Sequence, residues 1–150
     1  MRRKDKAISN DEAVRLLQDC EYGVLSTVDK NGQPYGVPLN YVCKDDNLYF
    51  HCAMEGQKLD NILANKQVSF CVVGRTGLMP VEFNTKFESV IVFGKAILVE
   101  GEEKHQALVS LVAKYSPDFV AEGSEYIKQH DNKTKVVKIM VEALTGKAKR

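Results

Sequence analysis

The sequence carries none of the short motifs that announce a common chemistry. Its four cysteines, Cys20, Cys43, Cys52 and Cys71, have no C-x-x-C spacing, which excludes a zinc ribbon and a thioredoxin-type pair and predicts buried, reduced thiols. There is no G-x-S-x-G elbow, no G-x-G-x-x-G fingerprint and no G-x-x-x-x-G-K-[ST] loop, so a serine hydrolase, a dinucleotide fold and a P-loop lose their sequence basis. No apolar run reaches the roughly 18 residues of a membrane span, and the charged N-terminus lacks the apolar core of a signal peptide. A cytoplasmic protein without a membrane partner is expected. The net charge is +1, and the basic residues gather at the two ends, which predicts solvated termini and no nucleic-acid partner. With only four prolines and 44% hydrophobic residues in 150, the chain is long and apolar enough for one domain with its own core.

What is present is a series of short β-like runs with a few helical patterns between them. Ser9-Asn10-Asp11-Glu12 has capping-box spacing, and Ala13, Leu16, Leu17 and Cys20 follow at helical intervals. Gly23–Val28 reads as a strand whose Asp29–Gly32 turn leads into a second strand over Tyr35–Val42. Pro38 inside that strand cannot donate to a ladder, so the strand should be an edge or bulged where a flat ligand approaches. A turn at Lys44–Asn47 precedes the strand Leu48–Cys52, and a helix after Gly56 should bury Leu59, Ile62 and Leu63. Val68–Val73 is another strand, and residues 74–86, punctuated by Gly74, Gly77 and Pro80, read as a loop. Phe87–Val99 is apolar at consecutive positions, which predicts burial on both faces, with Gly94 at a bend. A helix over Glu102–Tyr115 stops at Ser116-Pro117, and a shorter one spans Ser124–His130. Lys135–Val141 closes the domain, with Val137, Ile139 and Val141 facing inward; Thr145-Gly146-Lys147 reads as a polar tail or a second anion contact. The pattern predicts a mainly β fold, a β-barrel with peripheral helices.

The most informative stretch is Tyr49–Asn61, a strand, a glycine turn and a helix start. Free N–H groups at that start, the helix dipole and Lys58 favour an anion, and a phosphorylated small ligand fits them. His51 ends the strand and is the candidate for phosphate contact or proton transfer. His105 and His130, in polar helical segments, read as surface residues, and Ser26 reads as a barrel-facing hydroxyl. Zinc shared by Cys43, His51 and Cys52 is disfavoured because adjacent strand residues point to opposite faces, so no metal is expected.

Several segments together carry a family likeness: Tyr22–Ser26, Pro34–Tyr41, Phe50-His51-Cys52-Ala53-x-x-Gly56-x-Lys58, Ser89–Gly94 and Thr145–Lys147. In these the chain resembles the Nim-type 5-nitroimidazole-resistance proteins among the pyridoxamine-phosphate-oxidase-like flavin-binding split barrels. The resemblance implies an FMN-binding split β-barrel, with FMN rather than FAD, and a homodimer with flavin at the subunit interface. By position, His51, Cys52, Ala53, Gly56, Lys58 and Asn61 would surround phosphate and ribityl. Val37, Pro38, Leu39 and Asn40 would meet the ring edge, and Glu88, Ser89 and Val90 of the second subunit would complete the pocket. Cys52 stands where the family commonly has serine, which removes a good hydroxyl donor. The C-terminus lacks the arginine–histidine pair that holds substrate in the vitamin oxidase, so no such activity is expected. The implied function is reduction of a nitroaromatic or other small planar acceptor, with NADH or NADPH as donor and His51 as proton donor. A flavin carrier or sensor without turnover, and a barrel for another planar ligand such as heme, are the alternatives.

Overall fold

Alternation of inward apolar and outward polar residues builds most of the molecule. The computed structural model describes residues 1–150. A first helix, α1 (Asn10–Asp19), starts at Ser9 with a full capping box: the Ser9 side chain accepts from the Glu12 N–H while the Glu12 side chain accepts from the Ser9 N–H. The strands are β1 (Gly23–Val28), β2 (Pro34–Leu39), β3 (Val42–Lys44), β4 (Asn47–Cys52), β5 (Gln67–Met79), β6 (Asn84–Val99) and β7 (Lys135–Lys149). Between them lie α2 (Gln57–Ala64), α3 (Gly101–Tyr115) and α4 (Val120–His130).

All seven strands form one sheet, antiparallel throughout, in the order β2-β1-β5-β6-β7-β4-β3. The sheet curls. Leu25 from one end and Leu48 and Phe50 from the other meet Phe70, Val72, Val90, Val92 and Ile139 in a single core, which α1 and α2 extend with Ala13, Leu17, Leu59 and Ile62. The result is a split barrel, with β2 and β3 as its unpaired edges. Each large apolar side chain buried there contributes about 1.5–3 kcal/mol. A second cluster lies on the outside, where Val42, Tyr49 and Val136 are covered by Ala107, Leu108, Leu111 and Ile127 of α3 and α4.

Several expectations are corrected. The strand expected over Tyr35–Val42 ends at Leu39, because Tyr41 turns inward: it is fully buried, its hydroxyl donates to the Leu17 carbonyl, and its N–H donates to the Tyr115 hydroxyl at 2.9 Å. The expected loop at 74–86 is a β-hairpin, since β5 and β6 pair on through Gly77↔Lys86 to Met79↔Asn84 with a bulge between Val73 and Thr76. Phe87–Val99 is not buried on both faces within the chain. Val90 and Val92 are 0% exposed, whereas Ile91 and Phe93 are 39% and 48% exposed. Gly94 does mark a bulge, and a Cβ there would run into the Met140 carbonyl.

On α2, Leu63 is 70% exposed and Asn61 takes the inward position instead. On β1 the barrel-facing hydroxyl is Thr27, not Ser26. Val141 is only half-buried at the core margin. Thr145–Lys147 is no tail: these residues pair with Ile91, Val90 and Ser89, and Arg150 reaches Glu12 (3.1 Å) and Glu88 (2.9 Å). Of the four free thiols, only Cys20 is buried and the others are half-buried. No helix is long and apolar enough to cross a membrane.

Candidate functional site

The glycine turn is built as the sequence suggests. Gly56 precedes α2 at φ 149°, a conformation that side-chain-bearing residues rarely adopt, and its carbonyl accepts from Leu59 and Asp60. No side chain caps this end, so the N–H groups of Gln57 and Lys58 in the first turn have no partner inside the helix. Cys52 is half-buried, Ala53 exposed and Lys58 half-buried. This corner offers an anion two backbone donors, one ammonium and the positive end of a helix.

Asn61 behaves differently from its neighbours. Its side chain is buried, donates to Thr27 Oγ1 at 2.9 Å and accepts from Gln57 Nε2 at 2.7 Å. It pins α2 to β1, and both halves of its amide are engaged within the chain. Thr27 was missed by sequence reasoning, because a threonine in a β-branched run has no visible partner until α2 packs across it.

The second arm of the site is the edge strand. Leu39, Pro38 and Val37 pair with Gly23, Val24 and Leu25 on one side only, so the opposite edge of β2 faces outward with its alternate N–H and C=O groups free. Pro38 falls on this edge, where its missing N–H interrupts no inner ladder. Asn40 follows immediately, exposed, as the chain leaves the strand.

His51 lies near the end of β4, opposite Val136. The residue is exposed at one side, yet its imidazole is held below the ordinary histidine value of 6.5, first by desolvation among its neighbours and then by the positive charge of Lys58, with no hydrogen bond offsetting either. A neutral ring at pH 7 follows. His51 and Asn40 border one cavity of about 200 Å³ beneath α3 and α4. Its floor includes Leu108, Leu111 and Ile127, and its rim includes Tyr126 and His130.

His130 is therefore no ordinary surface residue: its ring stacks on Tyr126 with centroids 3.9 Å apart, and Nδ1 lies 2.9 Å from the Tyr126 carbonyl. That carbonyl can only accept, so Nδ1 carries a proton. The only sequence clue was the four-residue spacing of Tyr126 and His130, which sets them one turn apart on a helix. His105 does not border this cavity.

Glu88, Ser89 and Val90 are elsewhere in the same chain. Glu88 borders a separate polar hollow beside Leu16, Cys20 and Arg75, and its carboxylate is bound by Arg150. The Val90 side chain is wholly inside the barrel, and Ser89 lies on the outer face with Ile91. Within one chain the structure thus gathers Asn40, His51 and the Lys58 charge, and leaves the Glu88–Val90 group apart.

Among solved structures, a conserved hypothetical protein from Mycobacterium tuberculosis is 23% identical, with 99% of this chain and 89% of that one covered and a TM-score of 0.84. A candidate 5-nitroimidazole antibiotic resistance protein from Bacteroides thetaiotaomicron is 25% identical, with 95% and 86% covered and a TM-score of 0.77. An FAD- and heme-binding protein from Mycobacterium smegmatis shares the fold at 17% identity, with 97% and 74% covered and a TM-score of 0.85. A search of curated proteins gives no match. The family model described as pyridoxamine 5'-phosphate oxidase matches residues 9–148, so nearly the whole chain, both arms of the site included, belongs to that family.

Proposed function

We propose that this protein is a cytoplasmic, homodimeric FMN-binding flavoprotein that reduces nitroaromatic or similar small planar acceptors. The observation that carries this reading is the convergence of Asn40, from the exposed end of β2, with His51, whose ring feels the charge of Lys58, around one cavity. The residues present suit the cofactor. The uncapped start of α2 with Lys58 is matched to a phosphate, and the open edge of Val37–Asn40 is matched to a flat ring that needs backbone donors and acceptors. Bound flavin would supply the electron chemistry, while the chain supplies position and electrostatics.

His51 is the residue for proton handling at the acceptor. Being neutral at rest, it is suited to hold one N–H toward an oxygen and to relay a proton, not to store one. The homodimer is supported by the outward row of Val73, Ile91 and Phe93 on the central strands, an apolar surface that a second copy would cover. FAD in place of FMN would keep the same anion corner with a longer ligand.

The visible spectrum of the purified protein with added FMN tests the cofactor. Expected are flavin absorbance and quenched flavin fluorescence; no flavin binding, or a Soret band in its place, would sink the proposal. Reduction by NADH or NADPH and reoxidation by a nitroimidazole test the reaction. A reduced flavin that ignores the acceptor would make the protein a carrier or sensor instead.

A further inference from the structure

Resting on the flavin reading, we propose that the cavity between α3, α4 and the end of β4 is the acceptor subsite, shaped for an uncharged, single-ring aromatic molecule that turns a nitro or carbonyl oxygen toward His51. Size is the first argument. At about 200 Å³ the cavity is somewhat larger than the roughly 150 Å³ void that holds benzene, so it has room for one ring.

Chemistry is the second. The floor is aliphatic, through Leu108, Leu111 and Ile127, and one wall is the stacked pair Tyr126 and His130, a flat surface of the kind an aromatic ring packs against.

Charge is the third. The carboxylate at the rim, Asp131, is already met by Lys104, whose Nζ stands 3.4 Å from its Oδ1 and donates to its backbone carbonyl at 2.9 Å. That leaves the cavity without an unpaired charge of its own, so a carboxylate or phosphate gains no counter-ion there and pays its desolvation. His51 and Asn40, at the end toward the edge strand, are the groups left to fix the orientation of a neutral ring. The phosphate corner and this cavity therefore divide the work: the first selects charge and the second excludes it.

The test measures binding of nitrobenzene and of nitrobenzoate to the full-length protein by calorimetry, with FMN affinity followed separately by fluorescence. Nitrobenzene is expected to bind, and nitrobenzoate about tenfold more weakly or worse. Thr134→Phe, at a cavity-lining position, should weaken nitrobenzene about tenfold with FMN affinity unchanged. Tyr126→Ala, at an exposed position where folding is not at risk, should weaken it about fivefold by removing the wall. Equal binding of both probes, or nitrobenzene binding indifferent to both substitutions, would overturn the inference. Nitrobenzene binding in a protein that takes no flavin would sink the flavin reading and leave the cavity assignment standing. Flavin binding with no nitrobenzene site would do the reverse.

Discussion

Lys58 and His51 are coupled, and their coupling can be read out directly. Burial and the Lys58 charge both oppose protonation of His51 in the folded chain, whereas the unfolded chain takes up that proton at the ordinary value of 6.5. The unfolded state then binds more protons in the window just below 6.5, so stability rises with pH through that window and is lost as the pH falls. His51→Gln should flatten this part of the pH–stability curve. In an NMR titration the His51 ring should titrate below 6.5, and Lys58→Ala should move it upward. If Lys58 holds the FMN phosphate as proposed, the same substitution removes a charge-assisted contact worth about 1.5–3 kcal/mol, and FMN should bind about ten- to hundredfold more weakly. If neither the titration nor the FMN affinity moves, Lys58 is not at the phosphate corner. Asn61 makes the opposite kind of prediction. Asn61→Ala strips the buried Thr27 hydroxyl of its donor and should cost about 1–3 kcal/mol in a denaturant titration, whether or not flavin is present.

Elements whose partners are local were legible in the sequence, and those whose partners come from afar were not. The capping box of α1, the Gly56 turn before α2 and the edge position of the Pro38 strand depend on a few adjacent residues and on rules of backbone geometry. The hairpin at 74–86 was hidden because its two glycines look like breakers, yet Gly77 pairs with Lys86 in the ladder and Gly74 falls in the bulge between Val73 and Thr76, which the pairing on either side carries through. Thr145–Lys147 was hidden for a related reason: a polar segment pairs with β6 through its backbone, and its side chains do not advertise this. Gly146 shows why that strand matters. A Cβ there would lie 2.6 Å from Ile8 and 2.9 Å from the Ala13 methyl, so the glycine lets the N-terminal segment and α1 seat against β7. Gly146→Val should therefore destabilise the protein by about 1–3 kcal/mol through overpacking, seen as a lower Tm. Gly77→Val is the control. Its Cβ would meet only Lys86 at 3.8 Å, and it should leave Tm unchanged or raise it. Equal losses at both positions would mean that strand glycines are simply intolerant and that α1 docking is not the cause.

At the scale of the whole molecule the unresolved balance is between one face of the sheet and solvent. The consecutive apolar run in β6 is divided between two faces: Val90 and Val92 fill the barrel, while Ile91 and Phe93 stand outward beside Cys71 and Ser69 on β5 and Thr145 and Ala143 on β7. Cross-strand neighbours share a face in an antiparallel sheet, so these residues form one contiguous outer surface in the middle of the sheet, not at an edge. Ser89 lies on the same surface, next along from Ile91, so in the proposed homodimer the Glu88–Val90 group, remote from Asn40 and His51 within one chain, would lie on the covered face. Phe93→Lys places a charge in the centre of that surface without touching the barrel interior. If the proposed homodimer is built on this face, the parent should scatter light as a dimer and the variant as a monomer, with the circular dichroism spectrum retained because the substituted side chain is already half exposed in the single chain. The decisive reading is FMN affinity in that monomer. A site completed by two subunits predicts that affinity falls with dissociation and recovers at protein concentrations that restore the dimer. A monomer that binds FMN as well as the parent would confine the whole site to one chain, and the Glu88–Val90 segment would then have no part in it.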